Sequence, residues 1–404
     1  MAEDVASGET PARLMQAIEH HRAGRLDSAE AGYVAHLQQF DGDPSGLHFL
    51  GLLRTQQGRN DEAIDLMTQA VTADPRYVDA WSNLAIAHFR KRDLQQAEAC
   101  CRKALDIAPD FANAWANLGM TLRARDAVEA ALAAWGRALE LQPGMRNIAI
   151  SYGHALYRLD RRPEALEFYR RWHQASPQDP IPRHMLAAAG GAEQPARASD
   201  GYVRDVFDDF AESFDQNLEQ LQYRAPMLLH AALAEAGRLP VDGRVQVLDL
   251  GCGTGLCGPL FRPVAERLVG VDLSPKMLSK AAARGLYDQL DCGELTQWLS
   301  ECQRRFDIVI AADVLCYFGD LSTVFARVSS VLAAGGTFAC SLERLQGADP
   351  VPPYALLPHG RYQHGRAYVD RMLREAGFGS FAVTEAVLRY ERSETVTGHI
   401  VVAR

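Results

Sequence analysis

The run VQVLDLGCGTG at residues 245–255 sets Gly251, Cys252, Gly253, Thr254 and Gly255 behind a β-branched apolar stretch, with Asp249 two residues before the first glycine. Glycines at the end of such a stretch let backbone approach a bound molecule at the carboxyl edge of a sheet, where a side chain would block it. Their order is GxGxG. The order that seats a pyrophosphate on a helix N-terminus is GxGxxG, so no dinucleotide is implied. A second apolar run, LVGVDLSPKML at residues 268–278, ends on Asp272, about twenty residues beyond the glycines, where a carboxylate accepts both hydroxyls of a ribose. Ser274 followed by Pro275 reads as a helix cap behind it. Taken together, these residues are suited to a nucleoside-bearing ligand.

Those groups need a sheet to carry them. LCGPLFRPVAERL after the glycines has a helical pattern, and RGLYDQLDCGELTQWL reads as a weak strand with an acidic turn holding Asp288, Asp291 and Glu294. FDIVIAADVLCYFGD, residues 306–320, is long and apolar enough for a buried parallel strand, with Ala312, Asp313, Val314, Cys316 and Tyr317 at its carboxyl end. VLAAGGTFACSLE is a helix end, a glycine turn and a strand, and VTEAVLRYERSETVTGHIVVAR reads as a hairpin. Between them, LLPHGRYQHGRAYVDRMLREAGF carries His359, Arg361, Tyr362 and His364 on a loop before an amphipathic helix. Polar and aromatic groups on such a loop suit substrate selection, with Arg361 available to pair with an acidic group. Upstream, Val206, Phe207, Phe210 and Phe214 share one helical face.

From Val245 to Arg404 the order of parts resembles class I S-adenosylmethionine-dependent methyltransferases, and from about Tyr202 it is similar to bacterial methyltransferases fused to tetratricopeptide repeats. The resemblance implies a Rossmann-like domain with a seven-stranded sheet and S-adenosyl-L-methionine as cofactor. It assigns cofactor binding to Asp249, Gly251, Cys252, Gly253, Asp272, Leu273, Met277, Glu294, Leu295, Ala312 and Arg224. In it Asp249 faces the cofactor's ammonium, Met277 lies against the adenine and Glu294 takes the adenine amino group. The helical segment before the fold caps the cofactor, which brings in Phe210, Tyr223 and Arg224. Methyl transfer from a sulfonium requires in-line approach, so positioning and exclusion of water are the main work. Where a proton must leave the acceptor, Asp313, Tyr317, His364 and His359 are the candidates. ADVLCYF stands where methyltransferases of DNA amino groups carry [DNS]PP[YFW], which disfavours a DNA base as acceptor.

The first half of the chain is periodic. Trp81, Leu84, Ala97, Ala104 and Pro109 recur 34 residues on as Trp115, Leu118, Ala131, Ala138 and Pro143. The same step back gives Leu50, Gly51, Ala63, Ala70 and Pro75, and forward gives Gly153, Ala165, Tyr169 and Pro177. A weaker first copy holds Ala17, Ala29 and Tyr33 and closes on Pro44 if a short insertion is allowed. Small residues where antiparallel helices touch, with Trp and Leu between neighbours and proline ending the second helix, resemble the tetratricopeptide repeat. The resemblance implies an all-α solenoid over residues 12–182 that binds a protein or peptide partner, or serves as spacer or dimerisation element. Residues 183–200, rich in Pro, Gly and Ala, read as a linker, and residues 201–404 as the methyltransferase domain.

At 404 residues the chain is too long for one core of roughly 150 residues. A hydrophobic fraction of 48% with 23% charged residues fits a soluble globular protein, with no run near the ~20 apolar residues of a membrane span. A net charge of -9 offers no footprint for nucleic acid. The eight cysteines show no CxxC pair, so free thiols and no metal site are expected. MAEDVASGETPARL has neither the basic nor the apolar region of a secretory signal, which suggests the cytoplasm. The acceptor is expected to be a protein or peptide recruited by the repeats. The alternatives are a small metabolite, with the repeats serving assembly or localisation, or a non-catalytic interaction protein.

Overall fold

The computed structural model describes residues 12–240, 244–347, 352–391 and 394–404. The chain divides into two compact units, residues 1–165 and 166–404.

In the first unit, antiparallel helices come in pairs: α1 (Ala12–Arg22) with α2 (Leu26–Gln39), α3 (Pro44–Gln56) with α4 (Asn60–Ala73), α5 (Val78–Arg90) with α6 (Leu94–Ile107), and α7 (Ala112–Ala124) with α8 (Val128–Leu141). α9 (Arg146–Arg158) precedes α10 (Arg162–Ala175), which crosses the division between units. The small residues of the repeat are where helices touch: Ala63, Ala97 and Ala131 are fully buried, and a Cβ on Gly119 would lie 2.4 Å from the Trp135 ring. The Trp81 and Trp115 indoles each donate to the carbonyl of a proline, Pro75 at 3.1 Å and Pro109 at 2.8 Å. Each tight turn within a pair uses one left-handed residue, Gly24, Gly58, Arg92, Asp126 and Asp160, all 34 apart. The first copy is therefore in phase, with Ala17, Ala29 and Tyr33 buried. Pro44, expected to close that copy, instead opens α3 at its first turn, where its missing N–H costs nothing.

The second unit begins with α11 (Pro180–Ala188), α12 (Asp200–Phe210), α13 (Phe214–Gln220) and α14 (Ala225–Glu235). Five strands follow, β1 (Val245–Leu250), β2 (Ala265–Asp272), β3 (Gln289–Cys292), β4 (Phe306–Ala311) and β5 (Leu332–Glu343). They alternate with α15 (Gly258–Phe261), α16 (Pro275–Ala283), α17 (Leu295–Glu301) and α18 (Ser322–Val331). After β5 come a small hairpin, β6 (Tyr354–Leu356) and β7 (Tyr362–His364), then α19 (Arg366–Glu375), β8 (Phe381–Glu391) and β9 (Glu394–Ala403). The sheet has seven strands in the order β3-β2-β1-β4-β5-β9-β8. β1 to β5 run parallel and β9 lies antiparallel between β5 and β8, the expected Rossmann-like arrangement. The strand order reverses between β1 and β4, which opens a crevice at their carboxyl ends. Apolar side chains cover both faces of the sheet.

Three local expectations are corrected. The helix expected through LCGPLFRPVAERL stops at Phe261, and Ala265 already belongs to β2; Arg262 still has helical backbone and bonds to the Gly258 carbonyl, but Pro263 has no N–H to continue the ladder. The stretch expected as a linker, 183–200, is built into the second unit. His184 donates to the Gly360 carbonyl at 2.9 Å, Tyr362 to that of Pro195 at 2.6 Å, and residues Ala196 and Ala198 bond to Asp320, Gly319 and Tyr317. The polar loop after β5 contains the β6–β7 hairpin. No helix among the described residues is long and apolar enough to cross a membrane.

Candidate active site

A cavity of about 310 Å³ opens at the carboxyl edge where the strand order reverses. Gly251, Cys252, Gly253, Thr254, Asp272, Leu273, Glu294 and Leu295 line it from the β1–β3 half, and Ala312, Asp313, Val314, Cys316 and Tyr317 from β4 onward. Gly251 has φ 66° and a Cβ there would sit 2.4 Å from Val314 Cγ2, so only glycine fits. Gly253 has φ 55°, and its missing Cβ faces only the Phe214 ring at 3.9 Å, which leaves room for a ligand against the backbone.

Asp272 holds this loop together. Its Oδ2 accepts the Gly253 N–H at 2.9 Å and its Oδ1 the Ser274 N–H at 2.8 Å, while Ser274 Oγ caps α16 by accepting from Met277 N–H at 3.1 Å. Burial raises the Asp272 carboxyl against these donors. Asp249 lies beneath the loop, buried and not on the cavity wall; its Oδ2 accepts the Tyr287 hydroxyl at 2.7 Å and its Oδ1 has no partner. Burial raises its carboxyl to about 7, with the Tyr287 hydrogen bond opposing. Glu294 caps α17, accepting the Gln297 N–H and the Thr296 hydroxyl through Oε2, and leaves Oε1 buried without a hydrogen bond, with the Arg197 guanidinium 3.9 Å away. Two buried carboxylate oxygens without a hydrogen-bond donor, one at the cavity wall and one beneath it, are costly unless a ligand supplies donors.

A roof covers the crevice. The stripe Val206, Phe207, Phe210 and Phe214 lines the cavity from α12 and α13. Phe207 sets its ring edge-to-face against Phe214 at 5.9 Å and Tyr317 at 5.5 Å. Two acidic residues fasten these helices. Ser274 Oγ donates to Asp208 at 2.5 Å; Thr254 Oγ1 and Arg284 Nη2 donate to Asp215, each at 2.5 Å. The sequence gives no sign of these pairings, because single carboxylates in an acidic amphipathic stretch look like solvated ones.

On the β4 and β8 side of the cavity sits a buried ion cluster. Arg389 on β8 donates to Asp313 at 2.7 Å, to Glu391 at 3.0 Å and to Glu343. Arg361 donates to Glu343 at 2.6 Å and to Glu391 at 2.5 Å. Burial alone would push the Glu343 carboxyl up, but the guanidinium charges of Arg361 and Arg389 outweigh it and hold it at about 2. Arg361 is thus committed to protein carboxylates.

The expected site residues divide accordingly. Tyr223 and Phe210 line the cavity, whereas Arg224 is exposed, begins α14 and gives its backbone N–H to the Leu388 carbonyl. Met277 is fully buried and not on the wall; Leu273 is the apolar residue of this segment that reaches the cavity. His364 is corrected from candidate base to packing residue: buried, it donates Nε2–H to the Phe318 carbonyl at 2.8 Å and stacks on Tyr368, and burial lowers it to about 4. His359, likewise held near 4 by burial, does not line the cavity. Asp313 does line it, at φ 54°, but Ser341 Oγ at 2.9 Å and Arg389 engage both of its oxygens. Burial raises the Tyr317 phenol well above its ordinary value, so it is a neutral wall of the cavity.

Residues 247–336 match the methyltransferase-domain family, and residues 54–120 and 116–180 match two tetratricopeptide-repeat families. Among curated proteins, Methyltransferase-like protein 27 of Homo sapiens is 39% identical over 27% of this chain and 45% of its own length. The 18S rRNA (guanine-N(7))-methyltransferase of Bos taurus is 28% identical over 28% of this chain and 49% of its length. The chain thus spans less than half of either relative. The magnesium protoporphyrin IX methyltransferase structure from Synechocystis PCC 6803 with bound SAH is 20% identical, covering 51% of this chain and all of that one, with a TM-score of 0.39.

Proposed function

We propose that this chain, a methyltransferase domain joined to tetratricopeptide repeats, transfers a methyl group from S-adenosylmethionine to a protein or peptide that the repeats recruit. The observation that carries the cofactor is the pair of buried carboxylate oxygens without a hydrogen-bond donor, Glu294 Oε1 at the cavity wall and Asp249 Oδ1 beneath the glycine loop, with Asp272 between them. They fit the donors of an ammonium group and an adenine amino group, with Asp272 between them for the ribose hydroxyls. When bound, the cofactor supplies an electrophilic methyl group on a sulfonium. The protein's own residues then bind, orient and exclude water. The glycines admit the ligand, Leu273, Leu295 and Ala312 give apolar contact, and the α12–α13 roof closes the crevice.

The repeats support a macromolecular acceptor, because helical arrays of this kind present extended binding surfaces. The cavity of about 310 Å³ favours a second reading, a small molecule taken up whole. Incubating the protein with methyl-labelled S-adenosylmethionine and a cell lysate decides between them. Label in protein supports the first reading, label in the small-molecule fraction the second, and label in neither, with cofactor binding intact, leaves a binding protein.

The Asp249 carboxyl makes binding pH-dependent. An ammonium requires the carboxylate, and the carboxyl protonates below about 7. Affinity for S-adenosylhomocysteine is therefore expected to be level above that pH and to fall below it, by up to roughly tenfold per pH unit. Calorimetric titrations across pH 6 to 8 check this. Asp249→Asn should flatten the profile, and a profile identical in both proteins would remove Asp249 from the ammonium site.

A further inference from the structure

We infer that the acceptor atom is an amine nitrogen carried on an apolar stem. The inference rests on the methyl-transfer reading and concerns the other half of the same cavity. The strand order puts Gly251, Asp272 and Glu294 after β1, β2 and β3, and puts Asp313, Arg389 and Glu391 at β4 and β8, so the ion cluster faces the acceptor. Its charge balance is the key. Asp313, Glu343 and Glu391 present three carboxylates to two guanidinium groups, Arg361 and Arg389. His359, lowered to about 4 by burial, adds no charge at neutral pH.

The guanidinium groups have little left for a ligand. Arg389 gives Nε, Nη1 and Nη2 each to a carboxylate, and Arg361 gives Nε and Nη2. A carboxylate substrate would compete with Glu343 for Arg361 and would enter a low-dielectric wall already one charge negative. The surplus acceptor is Glu391, which lines the cavity; its Oε1 takes both arginines, and its Oε2 has no partner among the described residues. The remaining walls are mostly apolar and include the aromatic rings of Phe207, Phe214, Tyr223 and Tyr317. Aromatic faces with one excess carboxylate favour an organic ammonium and its alkyl stem. Glu391, with its side chain 39% exposed, also marks the way out for the proton.

The step balances simply. The bound ammonium loses a proton past Glu391 to solvent. The nitrogen lone pair then forms the N–C bond to the methyl carbon as the C–S bond breaks, with that bond's electron pair remaining on sulfur, and the product is a methylated ammonium and a neutral thioether.

Calorimetry with the full chain tests this with 1-pentylamine, pentanoate and 1-pentanol, titrated with and without S-adenosylhomocysteine, at a pH where the amine is protonated. Pentylamine should bind at least tenfold tighter than pentanoate and pentanol, and Glu391→Gln should remove that preference. Equal or reversed order, or no binding by pentylamine, overturns the inference. Lack of S-adenosylhomocysteine binding in the same cell would instead count against the cofactor reading. Nα-acetyllysine N-methylamide carries a similar amine on peptide backbone. Binding at least as tight as pentylamine would identify a protein lysine as the source, and binding by pentylamine alone a small-molecule amine.

Discussion

Replacing Arg389 by methionine should destabilise the second unit by about 3–5 kcal/mol, because it strips a nearly buried cation from three carboxylates, leaving Glu343 and Glu391 to Arg361 and Asp313 without an ion pair. For a unit of this size that is a fall in melting temperature of roughly 10 °C. The pH dependence identifies the cause. Glu343 sits at about 2 in the folded protein against an ordinary 4.5. A depressed carboxyl contributes its stability above the unfolded value, and loses it as pH falls from 4.5 toward 2. The gap between the two proteins should therefore be full near neutral pH and shrink on acidification. Urea midpoints followed from pH 7 downward check both points. A gap that is small at pH 7, or that does not change with pH, would show that the cluster is not held by Arg389's charge.

Asp272→Asn is the second large expectation. A ribose bound through its hydroxyls loses a charge-assisted hydrogen bond, worth about 1.5–3 kcal/mol, or roughly ten- to a hundred-and-fifty-fold in Kd. The loop suffers as well. Both carboxylate oxygens accept backbone N–H groups, from Gly253 and Ser274, and the asparagine amide can satisfy only one of them, turning N–H against N–H at the other. Cofactor affinity, read by calorimetry with S-adenosylhomocysteine, should collapse while the melting temperature falls only modestly. Unchanged affinity would take Asp272 out of the ribose site. A large loss of stability would make it a structural cap first.

Much of this was legible in the sequence for one physical reason: the informative residues act locally. A glycine with positive φ, a carboxylate at a strand end, and a small residue at a helix contact every 34 positions each leave a signature within a few residues of themselves. Most of the strands could likewise be read from apolar runs, and the spacing of Val206, Phe207, Phe210 and Phe214 gave one shared helical face, whose place over the crevice came only from the resemblance. What stayed hidden joins distant segments. Asp313 and Arg389 are 76 residues apart, and Asp215 and Arg284 are 69 apart. Nothing near Arg389 distinguishes a buried arginine from a solvated one on an alternating strand. His364 misled for the converse reason, since a polar ring beside glycines suggests an exposed loop, and only tertiary packing reveals that Phe318 and Tyr368 enclose it. Met277 shows the limit of carrying a position over by resemblance, because in the first turn of α16 it is buried and off the cavity wall.

The two aspartates that fasten α12 and α13 bear on kinetics. Asp208 is bonded to Ser274, the cap of α16, and Asp215 to Thr254 of the glycine loop and to Arg284. Lifting the roof therefore breaks hydrogen bonds to the same segments that are proposed to hold the nucleoside. Ligand exchange and loosening of those segments are thereby coupled, and wherever roof opening is slower than methyl transfer it is the opening that sets turnover.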